Sequence, residues 1–317
     1  MKKIFVVFLV SVLALSLFAS GADESQDSRY TIGVFTKDGT TAFWRYCVEG
    51  AQQEGKRQNV TIKEYAPASY TDSAGQISMV EDAIQAGVDA IVIAACDSTA
   101  ILPALNRAYE QGIVVIPFNT RVPEFTGAPT FVGVDNVEAS RAVVAKYLEE
   151  VDYKANMVVI EGDPAGQQNT DRTQCLYEFA EQYDDVNLVA IQPGYANREK
   201  SMNVMENIIQ SGVDFDVVWA INDVAGIGAA QALSSAGLDT PVICIDGTPE
   251  GAVAALDGRI KYTFDQSPIE QGAFAVRYAI AALEGETLEE FYPTGGIIVG
   301  KDNAEEFLKT YYPTYKY

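Results

Sequence analysis

The chain has 317 residues, 22 Lys+Arg against 44 Asp+Glu, a formal charge of −22 and no histidine. The missing histidine excludes His-based triads, His metal ligands and the usual proton shuttle near neutral pH, and the acidic balance disfavours nucleic acid and anionic membranes, which select for Lys and Arg. At 48% hydrophobic and 21% charged the composition is globular, and the length accommodates about two domains.

Lys2 and Lys3 precede an apolar run from Ile4 to Ala19, followed by Ser20, Gly21 and Ala22. A basic start, an apolar stretch and small residues in this order predict a cleaved secretory signal over 1–22. The run falls short of the ~20 residues of a spanning helix. No cysteine follows it, so a lipid anchor is not expected either.

Beyond the leader, short β-branched runs alternate with helical patterns. Tyr30 to Thr36 reads as a strand, Phe43 to Arg57 as a helix, Thr61 to Tyr65 as a strand and Gln76 to Ala86 as a helix. Ala90 to Ala95 is a strand, Ala100 to Gln111 a helix stopped by Gly112, and Ile113 to Phe118 a continuous apolar strand. Further strands follow at Met157 to Ile160, Leu188 to Ile191, Val217 to Ile221 and Val242 to Ile245, with helices between. Runs apolar on both faces suit parallel sheets covered by helices, and repeated βαβ units predict doubly wound α/β layers. An internal repeat sharpens this. Gly87-Val88-Asp89 and Gly212-Val213-Asp214 each end a helix and precede a buried strand, which predicts two similar lobes with a cleft at the strands' carboxyl ends. Cys47, Cys96, Cys175 and Cys244 are widely spaced within apolar segments, so buried free thiols are expected. No metal-ligand spacing, nucleophile elbow or phosphate loop follows a strand.

The strand ends are polar: Lys37 to Thr41, Asp97-Ser98, Asn119 to Arg121, Gly162 to Arg172, Asn222-Asp223 and Asp246-Gly247. Guanidinium groups donate, carboxylates accept and amides do both, so together they serve hydroxyls that each donate and accept, as a polyhydroxyl ligand requires. Phe43-Trp44 suits the C–H face of a sugar ring. Asp97 and Asp223 read equally well as helix N-caps, and Phe43 and Trp44 equally well as core.

At these residues the chain resembles the periplasmic sugar-binding proteins of the ribose- and galactose-binding group, the type I substrate-binding components of ABC importers. They are related in fold to LacI-type ligand domains. The resemblance covers residues 30–317. It rests on Ile32-Gly33-Val34 leading to Phe43-Trp44 and Gly50-Ala51, and on Val115 to Asn119, Val132 to Asn136, Glu161 to Pro164 with Asp171-Arg172, Ala220 to Asp223, Ile245 to Glu250 and Thr263 to Gln266. It implies two doubly wound parallel-sheet lobes joined by a multi-crossing hinge. The N-terminal lobe would take 30–134 plus 267–296, and the C-terminal lobe 135–266 plus 297–317. It also implies a periplasmic monomer with no cofactor, metal or catalytic activity, whose partners are a small carbohydrate and a membrane permease.

Carried residue by residue, the resemblance implies ligand roles for Phe43, Trp44, Asn119, Arg172, Asn222, Asp246 and Gln266, and for Thr41, which stands where relatives usually have Asn or Asp. Lys37 and Asp171 occupy positions similar to ligand residues of autoinducer-2 receptors, so a signalling receptor is the alternative function. Thr120 replaces the arginine of the ribose binders, Ala196 falls where an aromatic would stack, and the calcium loop of the galactose binders is missing between Val151 and Met157. A small ligand is therefore expected: a pentose, a polyol or a furanose.

Overall fold

The alternation of apolar strands and helices builds two main sheets, parallel but for one antiparallel edge strand in the second, and a two-stranded parallel pair beside them. In the computed structural model, described over residues 28–317, the first half forms β1 (Thr31–Phe35), α1 (Ala42–Gln58), β2 (Thr61–Tyr65), α2 (Ser73–Gln85), β3 (Ala90–Ile93), α3 (Leu102–Glu110), β4 (Val114–Pro117) and β5 (Phe131–Gly133). There follow α4 (Asn136–Glu150), β6 (Ala155–Glu161), α5 (Gln167–Gln182), β7 (Val186–Pro193), α6 (Arg198–Ser211), β8 (Val217–Ala220), α7 (Asp223–Ser235), β9 (Val242–Asp246), α8 (Pro249–Leu256) and β10 (Tyr262–Asp265). The chain ends with α9 (Pro268–Leu283), β11 (Phe291–Pro293), β12 (Ile298–Gly300) and α10 (Ala304–Tyr311). The leader read over 1–22 lies outside the described residues.

One sheet runs β2-β1-β3-β4 and the other β12-β10-β9-β8-β6-β7. Starting from β7, the second sheet repeats the first: β7-β6-β8-β9 matches β2-β1-β3-β4. The two Gly-Val-Asp segments precede β3 and β8, the equivalent strands, and Gly87 and Gly212 sit at φ 69° and 73° as helix stops. In each lobe the strand order reverses beside the first strand, between β1 and β3 and between β6 and β8. That reversal opens a crevice at the carboxyl edge.

Every residue of β3, β8 and β9 is buried, as expected for strands covered on both faces. One N-terminal core joins Ile32, Val34, Phe118 and Ala275, and the other joins Phe35, Val80, Ile91 and Leu105. In the second lobe a large cluster centres on Val158, Trp219 and Ile243. All four cysteines are buried and free.

Helix α9 follows the last parallel strand of the second sheet yet packs on α1 of the first lobe. The chain passes between the lobes near 134–135, near 266–267 and within 294–297. Parallel pairing of β5 with β11 and the Phe118–Val132 bridge lie beside these crossings. Strands β5, β10, β11 and β12 were not among the strands read from the sequence.

Candidate ligand site

The carboxyl ends of both sheets face one another across a narrow cleft of about 340 Å³, a figure that includes space open to solvent. From the N-terminal lobe it is lined by Phe43, Trp44, Tyr70 and Asn119, and from the second lobe by Gly162, Gln168, Asn169, Arg172, Ala196, Ile221, Asn222 and Asp246. A larger cavity, about 1200 Å³ of space open to solvent, lies beside Pro241 and Lys261, which precede β9 and β10. That is the opposite edge of the sheet from the polar strand ends.

Arg172 projects from the second turn of α5 and is only 1% exposed. Its Nε donates to Asn136 Oδ1 at 2.8 Å and its Nη1 to the Ile221 carbonyl at 2.8 Å. Nη1 also lies 3.9 Å from Asp246 Oδ1. Arg172 Nη2 and Asp246 Oδ2 are buried without any hydrogen-bond partner. Burial, and then the negative charge of Asp223, hold the Asp246 carboxyl well above the usual carboxylate range, against the pull of Arg172. Asp246 is the one acid in the lining.

Asn119 ends the strand run of the first lobe at φ 59°. This left-handed conformation is one that Asn tolerates better than most residues. Its Nδ2 lies 3.2 Å from Gln266 Oε1 and 3.2 Å from Gln271 Oε1, and its carbonyl accepts from Asn136 Nδ2 at 3.1 Å. Gln266 in turn donates to Asp246 Oδ1 at 2.7 Å. Gln266 therefore sits behind the cavity as a link between Asn119 and Asp246 rather than in the lining. Asn222 caps α7, accepting from Ala225 N at 3.0 Å, and still lines the cleft.

Trp44 is 2% exposed, donates to Tyr70 Oη at 2.6 Å and meets Phe118 edge-on at 6.0 Å. The aromatic pair is thus both core and cleft wall, so the two readings of Phe43-Trp44 coincide.

Besides Gln266, three of the singled-out residues stand outside this lining. Thr41 donates to Asp38 Oδ2 at 2.6 Å and lines an adjoining pocket with Tyr195 and Lys200. Asp171 accepts from Gln167 Nε2 at 2.8 Å, and burial raises its pKa. Lys37 is buried beside the cavity, and burial pulls its ammonium down to about 8. Asp97 accepts from the backbone of Thr99 and Ala100 in the turn before α3, whose N-cap is Ile101, so it is not the cap that the sequence offered. Asp223 is fully engaged by Thr248, Thr263 and Cys244.

Sequence reasoning missed Gln168, Asn169, Tyr70 and Gln271, and gave Asn136 no side-chain role. An amide in a helix or a tyrosine in a loop carries no periodic signal. Their place became visible only once both lobes were assembled.

Two lobes of one plan, closed over a buried and partly unsatisfied polar cavity at their strand ends, define a hinged solute receptor. A family model for the periplasmic binding protein domain matches residues 32–287, and the chain belongs to that family. It is 29% identical over 286 residues to the ribose import binding protein of Bacillus subtilis (strain 168), covering 90% of this chain and 92% of that protein. It is 27% identical over 294 residues to the xylitol-binding protein of Mycolicibacterium smegmatis, covering 91% and 82%. A solved ABC transporter solute binding protein from Bacillus halodurans C-125 with bound myo-inositol superposes with a TM-score of 0.81 at 26% identity, covering 88% and 97%.

Proposed function

We propose that this chain captures a small carbohydrate, a pentose, hexose or polyol, in the interlobe cleft and delivers it unaltered to the permease of an ABC importer. The observation that carries the reading is the buried pair of unsatisfied atoms, Arg172 Nη2 and Asp246 Oδ2, on one cavity wall. A hydroxyl group accepts from the guanidinium while its neighbour bonds Asp246 Oδ2, so a vicinal diol satisfies both. The relatives named above bind ribose, xylitol and myo-inositol, all of which present such diols.

A single lining acid does not supply the carboxylate pair that glycoside hydrolysis requires, which supports binding without turnover. The three crossings support a division into 30–134 plus 267–296 and 135–266 plus 297–317. The leader sequence supports export to the periplasm, with a mature start near Asp23.

The test is a thermal-shift and calorimetric screen against pentoses, hexoses, polyols and autoinducer-2, with ligand recovered by chromatography. A cognate ligand at 100 times its Kd stabilises by ~2.7 kcal/mol. The expected result is saturable 1:1 binding of one carbohydrate, recovered unaltered. Selective binding of autoinducer-2 moves the function to signalling. No saturable binding, or consumption at catalytic stoichiometry, overturns the reading.

A further inference from the structure

Gln168 belongs to the second lobe but its side chain ends in the first. Its Nε2 donates to Asn119 Oδ1 at 2.8 Å, and its Oε1 lies 3.5 Å from Lys37 Nζ. The backbone around it is fixed across the same seam. Ser98 N donates to the Ala165 carbonyl at 3.3 Å, and Gln167 N donates to Ser98 Oγ at 3.2 Å. Among the described residues no carboxylate lies within ion-pair distance of the buried Lys37, and Gln168 supplies the one hydrogen bond to its ammonium. A carboxamide held at both ends, on a backbone held beside it, acts as a rigid wall and does not yield to a larger ligand.

The other polar walls are committed differently. Arg172 and Asp246 carry the unsatisfied atoms that recognise hydroxyls, and Asn119 is tied to the hinge glutamines. Phe43 and Trp44 belong to the N-terminal core. Resting on the carbohydrate-binding reading, we propose that Gln168 sets the size of ligand this cleft accepts. By spanning from Lys37 to Asn119 it closes the seam side of the cavity against a sugar ring bearing an exocyclic hydroxymethyl group. That group distinguishes a hexopyranose from its pentose homologue, and its two heavy atoms are fewer than the four of Gln168 beyond Cβ. Truncating Gln168 makes the room such a ring needs.

The test compares homologous pairs that differ only by this group: D-ribose with D-allose, D-xylose with D-glucose, and L-arabinose with D-galactose. Calorimetry is run on the full mature chain and on Gln168→Ala and Gln168→Glu. The pocket value of a small added group is about 10–200-fold. Gln168→Ala should therefore shift the hexose-to-pentose affinity ratio toward the hexose by about 10-fold or more. Gln168→Glu, equal in size, should keep the wild-type ratio even where it changes both affinities. A merely structural role would lower both members of a pair together and leave the ratio fixed. An unchanged ratio in Gln168→Ala overturns the inference, and so does a shifted ratio in Gln168→Glu. If the wild-type chain binds no carbohydrate, the functional reading fails instead, so the two failures are distinguishable.

Discussion

Arg172 joins structure and recognition in one guanidinium. Its Nε and Nη1 are spent on Asn136 and the Ile221 carbonyl, and Nη2 remains for ligand. A fork so divided is specific to arginine, because lysine offers a point charge with no fixed geometry. We expect Arg172→Ala to raise Kd for the cognate sugar by about 10- to 150-fold, since a hydrogen bond to a charged group is worth about 1.5–3 kcal/mol. The same variant should also lower the melting temperature, because two buried acceptors lose their donor. Arg172→Lys should recover little of either. Wild-type affinity in Arg172→Ala by calorimetry would remove it from the site. A second residue effect concerns pH. Asp265, 1% exposed, is pushed by burial from 3.8 to about 7 even while it accepts from Ser267 N and Oγ. A carboxyl whose folded pKa is raised binds its proton more tightly when folded. Its contribution is therefore greatest at low pH and is lost as pH rises from about 4 through about 7. Full ionisation costs on the order of 4 kcal/mol. Asp246 shifts in the same direction. Lys37, lowered to about 8, changes charge above this window, and Glu54, held near 2 by Arg57 and Arg277 against burial, acts below it. The melting temperature should fall between pH 5 and pH 8, and Asp265→Asn should flatten that slope. A slope unchanged in Asp265→Asn would assign the effect elsewhere.

At the scale of elements, the hinge depends on how α9 returns to the first lobe. It crosses α1 so closely that glycines form the contact: a Cβ on Gly272 would lie 1.7 Å from the Cys47 carbonyl oxygen, and one on Gly50 1.9 Å from the Ile269 carbonyl oxygen. Arg277 on α9 adds a 3.1 Å ion pair to Glu54 on α1. No side-chain rotation relieves a clash with backbone, so the helices must separate. Gly272→Ala should destabilise the fold by about 3 kcal/mol, the upper part of the usual overpacking range, read as a lower denaturation midpoint. An undiminished midpoint would show that the two helices can part freely. The elements themselves were legible in proportion to their length and apolar content. Helix α1 and strands β1, β3 and β4 fall within a residue or two of their sequence reading, because each carries a long periodic or continuous apolar pattern. Strands β5, β11 and β12, three residues apiece, are too short to show a period and exist because the hinge segments pair there. Among the residues that line the cleft, Asn119, Arg172, Asn222 and Asp246 were legible because they sit at the ends of legible strands or within family motifs. Thr41 was misleading for a local reason: Asp38, three residues earlier, takes its hydroxyl.

The whole molecule should report ligand capture through one tryptophan. Trp44 lines the cleft from the N-terminal lobe, with Ala196 and Ile221 lining it from the other. Trp219 lies in the centre of β8, 0% exposed within the second core, and keeps that environment whether the lobes are open or closed. Hinged closure of periplasmic binding proteins is a recognised mode of domain motion. Here opening would withdraw the second-lobe wall from Trp44 and admit water to its indole, while ligand binding would restore the dry contact. A ligand shifts such an equilibrium only by its differential affinity for the closed form, and moving from 1:99 to 99:1 takes about 5.5 kcal/mol. Arg172 and Asp246 both belong to the second lobe, so the difference must come from what only closure adds, the N-terminal wall of Trp44 and Asn119 against the same ligand. A cognate sugar should therefore change the intrinsic fluorescence saturably. The radius of gyration in solution should decrease along the same binding curve. Trp44→Phe should lose most of the fluorescence amplitude yet keep the scattering change, because the ring still fills the wall and the lobes still close. A full fluorescence change in Trp44→Phe would place the reporter at Trp219 and imply that ligand rearranges the second core instead of closing the cleft.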